Sequence, residues 1–259
     1  MEWLKISILA IIQGITEFLP ISSSGHLVLC KHFIGLEAAS SSTLVIVLHA
    51  GTLLSILIFY RRRVKNLFLG IISNQENSKV YTKLLILGIF PAIIFAILGR
   101  NYIEIICNKP SLVAIFLIIN GIYLLVSSLS KKCEKKIIPL SAFIIGIAQM
   151  FALIPGISRS GSTICTARLF GVAPRDAAEF SFLMSIPLLI GVVIYEGLNW
   201  LNFDASMGIN SWVLAWGFIL SALIGYLALS WLVLLLERGR FWSFGVYCLV
   251  AGILSISIL

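Results

Sequence analysis

Long apolar runs make up most of this chain, and two polar interruptions divide them. Residues 1–19 are apolar but stop at Pro20, and 26–36 form a second short apolar piece beyond a Ser-Ser-Ser-Gly turn. Neither reaches the roughly 20 residues a helix needs to cross a bilayer. Together they predict a re-entrant pair over 1–36. Non-helical backbone of this kind is tolerated at depth only when packed in protein or lining a cavity. Residues 43–60 give the first full span and end at Tyr60-Arg-Arg-Arg63. Further spans follow at 84–99, interrupted by Pro91, and at 111–130, closed by Lys131-Lys-Cys-Glu-Lys-Lys136. Segments 64–83 and 100–110 read as polar connections. Residues 140–154 and 162–172 flank the second interruption as another re-entrant pair, and spans at 180–198, 212–236 and 241–259 complete the chain.

The predicted fold is therefore an all-α integral membrane protein. It is a single membrane domain over 1–259, with six transmembrane helices and two re-entrant helix pairs. An offset of 136 residues aligns Gln13 with Gln149, Ser22 with Ser158, Ser24 with Ser160 and Gly25 with Gly161. The same offset lays 43–60 on 179–196, 84–99 on 220–235 and 111–123 on 247–259; Pro20 and Pro155 need a slip of one. With three spans between them, repeats 1–130 and 137–259 would have opposite topology. Inverted repeats with broken helices at mid-membrane occur in many transporters, although architecture alone does not decide function.

Composition agrees with this picture. Of 259 residues, 59% are hydrophobic and 12% charged, about half the usual charged share, and mean hydropathy is +1.05. A transmembrane barrel would show alternating segments of about ten residues, which are absent from the sequence. The net charge of +8 would suggest nucleic acid in a soluble protein. Here the basic residues sit in short loops, so membrane lipid is the expected partner and nucleic acid is not. By the positive-inside rule, Arg61–Lys65, Lys131–Lys136 and Arg238/Arg240 mark the cytoplasmic face. That places 100–110, 199–211 and the C-terminus outside. The tryptophans at 3, 200, 212 and 242 fit interfacial anchors. The five cysteines (30, 107, 133, 165 and 248) lack metal-like spacing. The N-terminal run contains Glu17 and lacks a small-residue cleavage site, so it is not expected to be a removed signal peptide.

Ionisable groups at membrane depth are costly and point to function. In the first break, Gln13 and Glu17 are four apart and share a helix face. A carboxylate there can hold a divalent cation with a phosphate or act as a base. Ser22, Ser23 and Ser24 offer hydroxyl donors or a nucleophile, Gly25 allows close backbone approach, and His26 offers an acid, base or nucleophile. The plainer alternative is that these groups only cap the second short helix. In the second break, Ser158-Arg-Ser-Gly-Ser-Thr163 reads as an anion cradle. Arg159 supplies a rigid donor fork, and a helix beginning after Gly161 would turn its positive end toward the break. Arg168, Arg175, Asp176 and Glu179 read as interfacial, and His49 as a packing residue.

These pieces resemble the integral-membrane undecaprenyl-diphosphate phosphatases, also called the bacitracin-resistance protein family. The likeness rests on Gln13-x-x-x-Glu17, then Phe-Leu-Pro-Ile-Ser-Ser-Ser-Gly-His26, and on Pro155-Gly-Ile-Ser-Arg-Ser-Gly-Ser-Thr163. It implies an interdigitated inverted-repeat fold in the bacterial plasma membrane, with the site opening to the outer face. It also implies hydrolysis of undecaprenyl diphosphate to the monophosphate and inorganic phosphate, recycling the lipid carrier for peptidoglycan and conferring bacitracin resistance. The implied cofactor is a divalent cation, Mg²⁺ or Ca²⁺, with Glu17 as the key carboxylate and metal ligand and Gln13 beside it. Ser23 and His26 are the implied nucleophile or proton-transfer groups, and Arg159 the clamp, helped by Ser158, Ser160 and Thr163. Gln13 stands where many members carry Glu, and an amide is a poorer ligand for a hard cation. His49-Ala-Gly51 stands where many carry Gln-Leu-Gly. A transporter or flippase of a polyprenyl phosphate is the competing expectation, and a homodimer is left open.

Overall fold

A computed structural model describes residues 2–34, 42–129, 134–202 and 210–259. Every regular element among them is helical. In chain order these are α1 (Glu2–Phe18), α2 (Ser23–Ile34), α3 (Ser42–Phe59), α4 (Arg61–Ile72), α5 (Glu76–Leu98) and α6 (Arg100–Cys107), followed by α7 (Pro110–Ser128), α8 (Pro139–Phe151), α9 (Arg159–Leu169), α10 (Pro174–Asn202), α11 (Ser211–Glu237) and α12 (Trp242–Ile258). With no water in hydrocarbon to satisfy backbone groups, helices are the expected solution.

Among the described residues, four helices are long and apolar enough to cross a membrane: Glu76–Leu98, Pro110–Ser128, Pro174–Tyr195 and Ser211–Glu237. A fifth crossing is available if α3 and α4, bent by 73°, count as one span. The exposed surface is rich in large apolar side chains, among them Leu98, Ile97, Ile253 and Leu227, as expected of a surface facing lipid. The chain is a multi-pass membrane protein.

Several boundaries differ from the sequence expectation. Segment 64–83 is not a simple polar connection but holds α4 and the first turns of α5. In α4 only Leu67 and Gly70 are buried, so its polar composition reflects a helix lying on a surface. Segment 100–110 likewise contains the helix α6. Pro91 does not break its span; α5 runs through it, since one lost backbone bond is tolerable where neighbouring helices hold the segment. The helix α10 starts at Pro174, so Arg175, Asp176 and Glu179 occupy its first turns. Glu179 is ion-paired to Arg63 of α4 at 2.7 Å and accepts from the Tyr81 hydroxyl at 3.4 Å. Together with Lys135, Lys136 and Asp176 they line a cavity of about 340 Å³, and no residue of either break reaches it.

Close helix packing sets the positions of the two breaks. The helix α1 lies against α11, where a methyl at Gly14 would stand 2.9 Å from Ile224 Cβ. The helix α8 lies against α5, with Gly146 touching the Gly88 backbone. Small residues allow such approach where apolar transfer gives helices no reason to associate in lipid. The two pairs hold the C-terminal ends of α1 and α8, and hence both breaks, inside the bundle. Phe18 is fully buried there, its ring edge-on to Phe182 of α10 at 5.8 Å.

Candidate active site

Each break ends one short helix and caps the next. The Ser22 hydroxyl accepts from Gly25 N at 3.2 Å, and the Ser158 hydroxyl accepts from Gly161 N at 3.1 Å. Both are N-cap bonds, in which a side-chain oxygen satisfies an otherwise orphaned first-turn amide. Ser22 pairs with Ser24 at 3.4 Å, and Ser158 with Ser160 at 3.2 Å. Ser22 sits at φ +69, a left-handed conformation that is rare for a residue with a side chain.

The breaks meet, as the sequence led one to expect. Gly156 N donates to the Ser22 hydroxyl at 3.1 Å. Gly156 itself lies at φ +100, and a methyl there would strike the Val113 carbonyl. A methyl at Gly25 would lie 3.0 Å from Gly156 Cα, so both glycines are needed for this contact. A third element, α7, ties the two loops together. Asn120, 1% exposed, donates to the Pro20 carbonyl at 3.0 Å and accepts from Ser158 N at 3.0 Å. Asn120 was not singled out from the sequence. The available signal was a lone amide inside an otherwise apolar span, which is costly to bury unless bonded.

The charged centre forms across this junction. Glu17 Oε2 accepts from Gln13 Nε2 at 3.1 Å and from the Ser23 hydroxyl at 2.9 Å. Glu17 Oε1 meets Arg159 Nη2 at 2.6 Å, and the two side chains are 7% and 15% exposed. Two polar atoms at the site are buried and unpartnered, Gln13 Oε1 and Arg159 Nη1. A cavity of about 50 Å³ is lined by Glu17, Ser22, Ser23, Ser24, Ser158 and Arg159, with Thr16, Ala152 and Ile157.

Not every expected residue faces that cavity. The helix α9 begins at Arg159, capped by Ser158, and not after Gly161. Gly161 N is consequently already bonded to Ser158 and is not offered to an anion. Ser160 turns to the Leu19 carbonyl at 3.4 Å, while Thr163 donates to the Arg159 carbonyl at 2.8 Å and pairs with Ser181. These three shape the second break from behind. His26 also stands apart. Its Nδ1 lies 2.8 Å from the Ser22 carbonyl, which can only accept, so that nitrogen carries the proton. Nε2 of the neutral ring then accepts from the Tyr247 hydroxyl at 2.8 Å. His49 is similarly tied to the Val45 carbonyl at 2.8 Å, near Gln13.

The profile of the family described as "Bacitracin resistance protein BacA" matches residues 6–254. The chain belongs to this family. It is similar to proteins named undecaprenyl-diphosphatase in several bacteria. The one from Christiangramia forsetii is 37% identical over 253 residues, covering 96% of this chain and 95% of the relative. That from Bacteroides fragilis is 35% identical over 260 residues, covering 99% and 98%. That from Rhodopirellula baltica is 37% identical over 258 residues, covering 98% and 97%. Both breaks of this BacA-family chain lie inside the matched range.

Among the described residues, no group of three His, Cys, Asp or Glu side chains could hold a metal ion by itself. The donors at the junction are one carboxylate and the free amide oxygen of Gln13. Magnesium is commonly held by one or two carboxylates together with substrate phosphate and water. The donor set fits a cation that shares its coordination with a bound diphosphate.

Proposed function

We propose that this chain hydrolyses undecaprenyl diphosphate to undecaprenyl phosphate and inorganic phosphate where the two breaks meet. The observation that carries this is the Glu17–Arg159 contact, made between residues 142 positions apart, in a family whose relatives bear the name undecaprenyl-diphosphatase. Phosphoryl transfer depends mainly on positioning and charge stabilisation. Arg159 has one nitrogen on Glu17 and another, Nη1, without a partner. A guanidinium can engage phosphate with two parallel donors. The cavity holds about 50 Å³, room for only one or two waters at about 30 Å³ each. A diphosphate therefore enters by drawing Arg159 away from Glu17, which frees the carboxylate as the guanidinium takes the anion.

Ser23 donates its hydroxyl proton to Glu17, the arrangement of a nucleophile with its base. On this route the Ser23 oxygen attacks the terminal phosphorus, Glu17 takes the hydroxyl proton, and the anhydride bond to undecaprenyl phosphate breaks. Water then releases phosphate from the serine. His26 is held by Ser22 and Tyr247, which favours Ser23 over His26 as the attacking group. Glu17 and Gln13 would hold the divalent cation, Mg²⁺ or Ca²⁺, which when bound supplies charge neutralisation for the diphosphate.

The same proposal takes α3, α5, α7, α10, α11 and α12 as six crossings of the bacterial inner membrane, in two inverted repeats. Support comes from the matching hydrogen bonds of Ser22 and Ser158 at an offset of 136. The basic loops would lie in the cytoplasm and the site would open to the outer face, where the released carrier lipid is reused for peptidoglycan. A polyprenyl-phosphate transporter has the inverted repeat in its favour, but transport does not call for a hydroxyl bonded to a carboxylate. The test is phosphate release from undecaprenyl diphosphate by the purified protein, with and without Mg²⁺ or Ca²⁺. Cation-dependent release is expected; none from folded protein under either condition would refute the proposal. Loss of labelled phosphoserine in Ser23→Ala, with trapping otherwise observed, would assign the nucleophile.

A further inference from the structure

An apolar groove of about 200 Å³ runs between α7 and α8. Ile119 and Tyr123 line it from α7, Ala148 and Phe151 from α8, and Ser162 from α9, with Ile157 of the second break among them. Ile157 also lines the cavity that holds Glu17, Ser23 and Arg159. One side chain thus borders both the groove and the charged centre. Ile119 and Phe151 are 47% and 53% exposed, so the groove opens on the outside of the bundle. Two of the polar side chains along it are already engaged. Asn120 is bonded to Pro20 and Ser158, and the Tyr123 hydroxyl to Thr166 at 2.7 Å. Beside Gln13, a second apolar space among the described residues holds only about 10 Å³.

We infer that this groove receives the first isoprenoid part of the substrate's polyprenyl chain, with Ile157 at the boundary between diphosphate and chain. The inference rests on the proposed substrate being a polyprenyl diphosphate. The headgroup cavity is small and polar, whereas the chain belongs in lipid, so the chain must leave sideways through an apolar passage. The α7–α8 groove has about twenty times the room of the space beside Gln13. Its volume of about 200 Å³ equals roughly seven water volumes, enough for about one five-carbon unit, after which the chain passes into the bilayer. Contacts remote from the reacting bond raise turnover of the substrate that makes them over one that cannot. The groove therefore sets a preference for prenyl over short-chain diphosphates.

The test compares undecaprenyl diphosphate with methyl diphosphate, which has no chain to place. Ala148→Trp and Ile119→Trp fill the groove. Each is expected to cut kcat/KM for the prenyl substrate by at least about tenfold while leaving methyl diphosphate within about twofold. Equal losses on both substrates, or no loss on either, would overturn the inference. Val45→Trp fills the space beside Gln13 and should leave the preference intact; abolition of the preference there alone would route the chain past α3 instead. Binding is read separately from turnover, and so independently of the proposed reaction. Glu17→Gln protein is photolysed with a prenyl diphosphate carrying a diazirine on its first isoprenoid unit. Adducts on α7 or α8 support the groove, and adducts confined to α2 or α3 overturn it.

Discussion

The ion pair between Glu17 and Arg159 has two separable consequences, one for stability and one for turnover. The charged atoms are 2.6 Å apart and both side chains are largely buried. Removing one partner of such a pair strands the other charge, at a cost of about 3–5 kcal/mol. Coulomb attraction gives the same scale, about 4 kcal/mol for unit charges ~4 Å apart at an effective dielectric near 20. Arg159→Met should therefore lower the unfolding free energy by about 3–5 kcal/mol, and Glu17→Gln by a similar amount. The double variant leaves no charge buried and should regain most of that loss. Turnover should not follow. Losing one preorganised donor costs about 10²–10³ in kcat, so both single variants and the double should stay at least about a hundredfold down. The assays are denaturant unfolding in a fixed detergent and phosphate release at saturating polyprenyl diphosphate. Arg159→Met retaining more than about a tenth of kcat would refute the clamp, and a double variant less stable than both singles would refute the stranded-charge reasoning.

Three further outcomes are expected. Asn120→Leu orphans Ser158 N and leaves the Pro20 carbonyl only the weak Cys248 thiol as donor, at about 1–3 kcal/mol for an orphaned buried group, and should lower both the melting temperature and kcat, with Asn120→Asp intermediate because it still accepts from Ser158. Ser22→Ala orphans the amides of Gly25 and Gly156, whereas Ser158→Ala orphans only that of Gly161; unfolding should show Ser158→Ala costing about 1 kcal/mol, the usual worth of a cap, and Ser22→Ala roughly twice that. Chelation should abolish phosphate release, and Gln13→Glu should reduce the Mg²⁺ concentration for half-maximal activity by making a second carboxylate available; an unchanged or higher requirement would count against Gln13 as a ligand.

Much of the site could be read from the chain because its groups are adjacent or carry charge. Gln13 and Glu17 are one helical turn apart, and their hydrogen bond follows from helix geometry. Arg159 and Glu17 are conspicuous in apolar surroundings, and opposite buried charges seek each other. Less legible was the division of labour within the second break. Serines 158 and 160 and Thr163 look alike in sequence, yet only Ser158 lines the cavity, because starting α9 three residues earlier rotates the others toward Leu19 and Ser181. His26 belongs to the same motif but turns to Tyr247, a partner 221 residues away. The helix α4 was invisible for another reason: a helix lying on a surface has the mixed composition of a loop.

The two breaks share a scaffold but not a chemistry, and the difference is what makes a reaction feasible. At an offset of 136, both caps match: Ser22 to Gly25 and Ser158 to Gly161, with Ser24 and Ser160 alongside. The match fails where Ser23 faces Arg159 and where Glu17 faces Leu153. Those are the positions that touch one another, Glu17 to Ser23 at 2.9 Å and Glu17 to Arg159 at 2.6 Å. A faithful copy of the first break would have put serine in place of Arg159, leaving the buried Glu17 without its cation and raising its affinity for a proton. A faithful copy of the second would have set two arginines together, able to bind the anion but without a base to accept a proton. Keeping the caps equal and the reactive positions unequal places one cation and one base in a single cavity, held by backbone bonds that neither charge has to maintain.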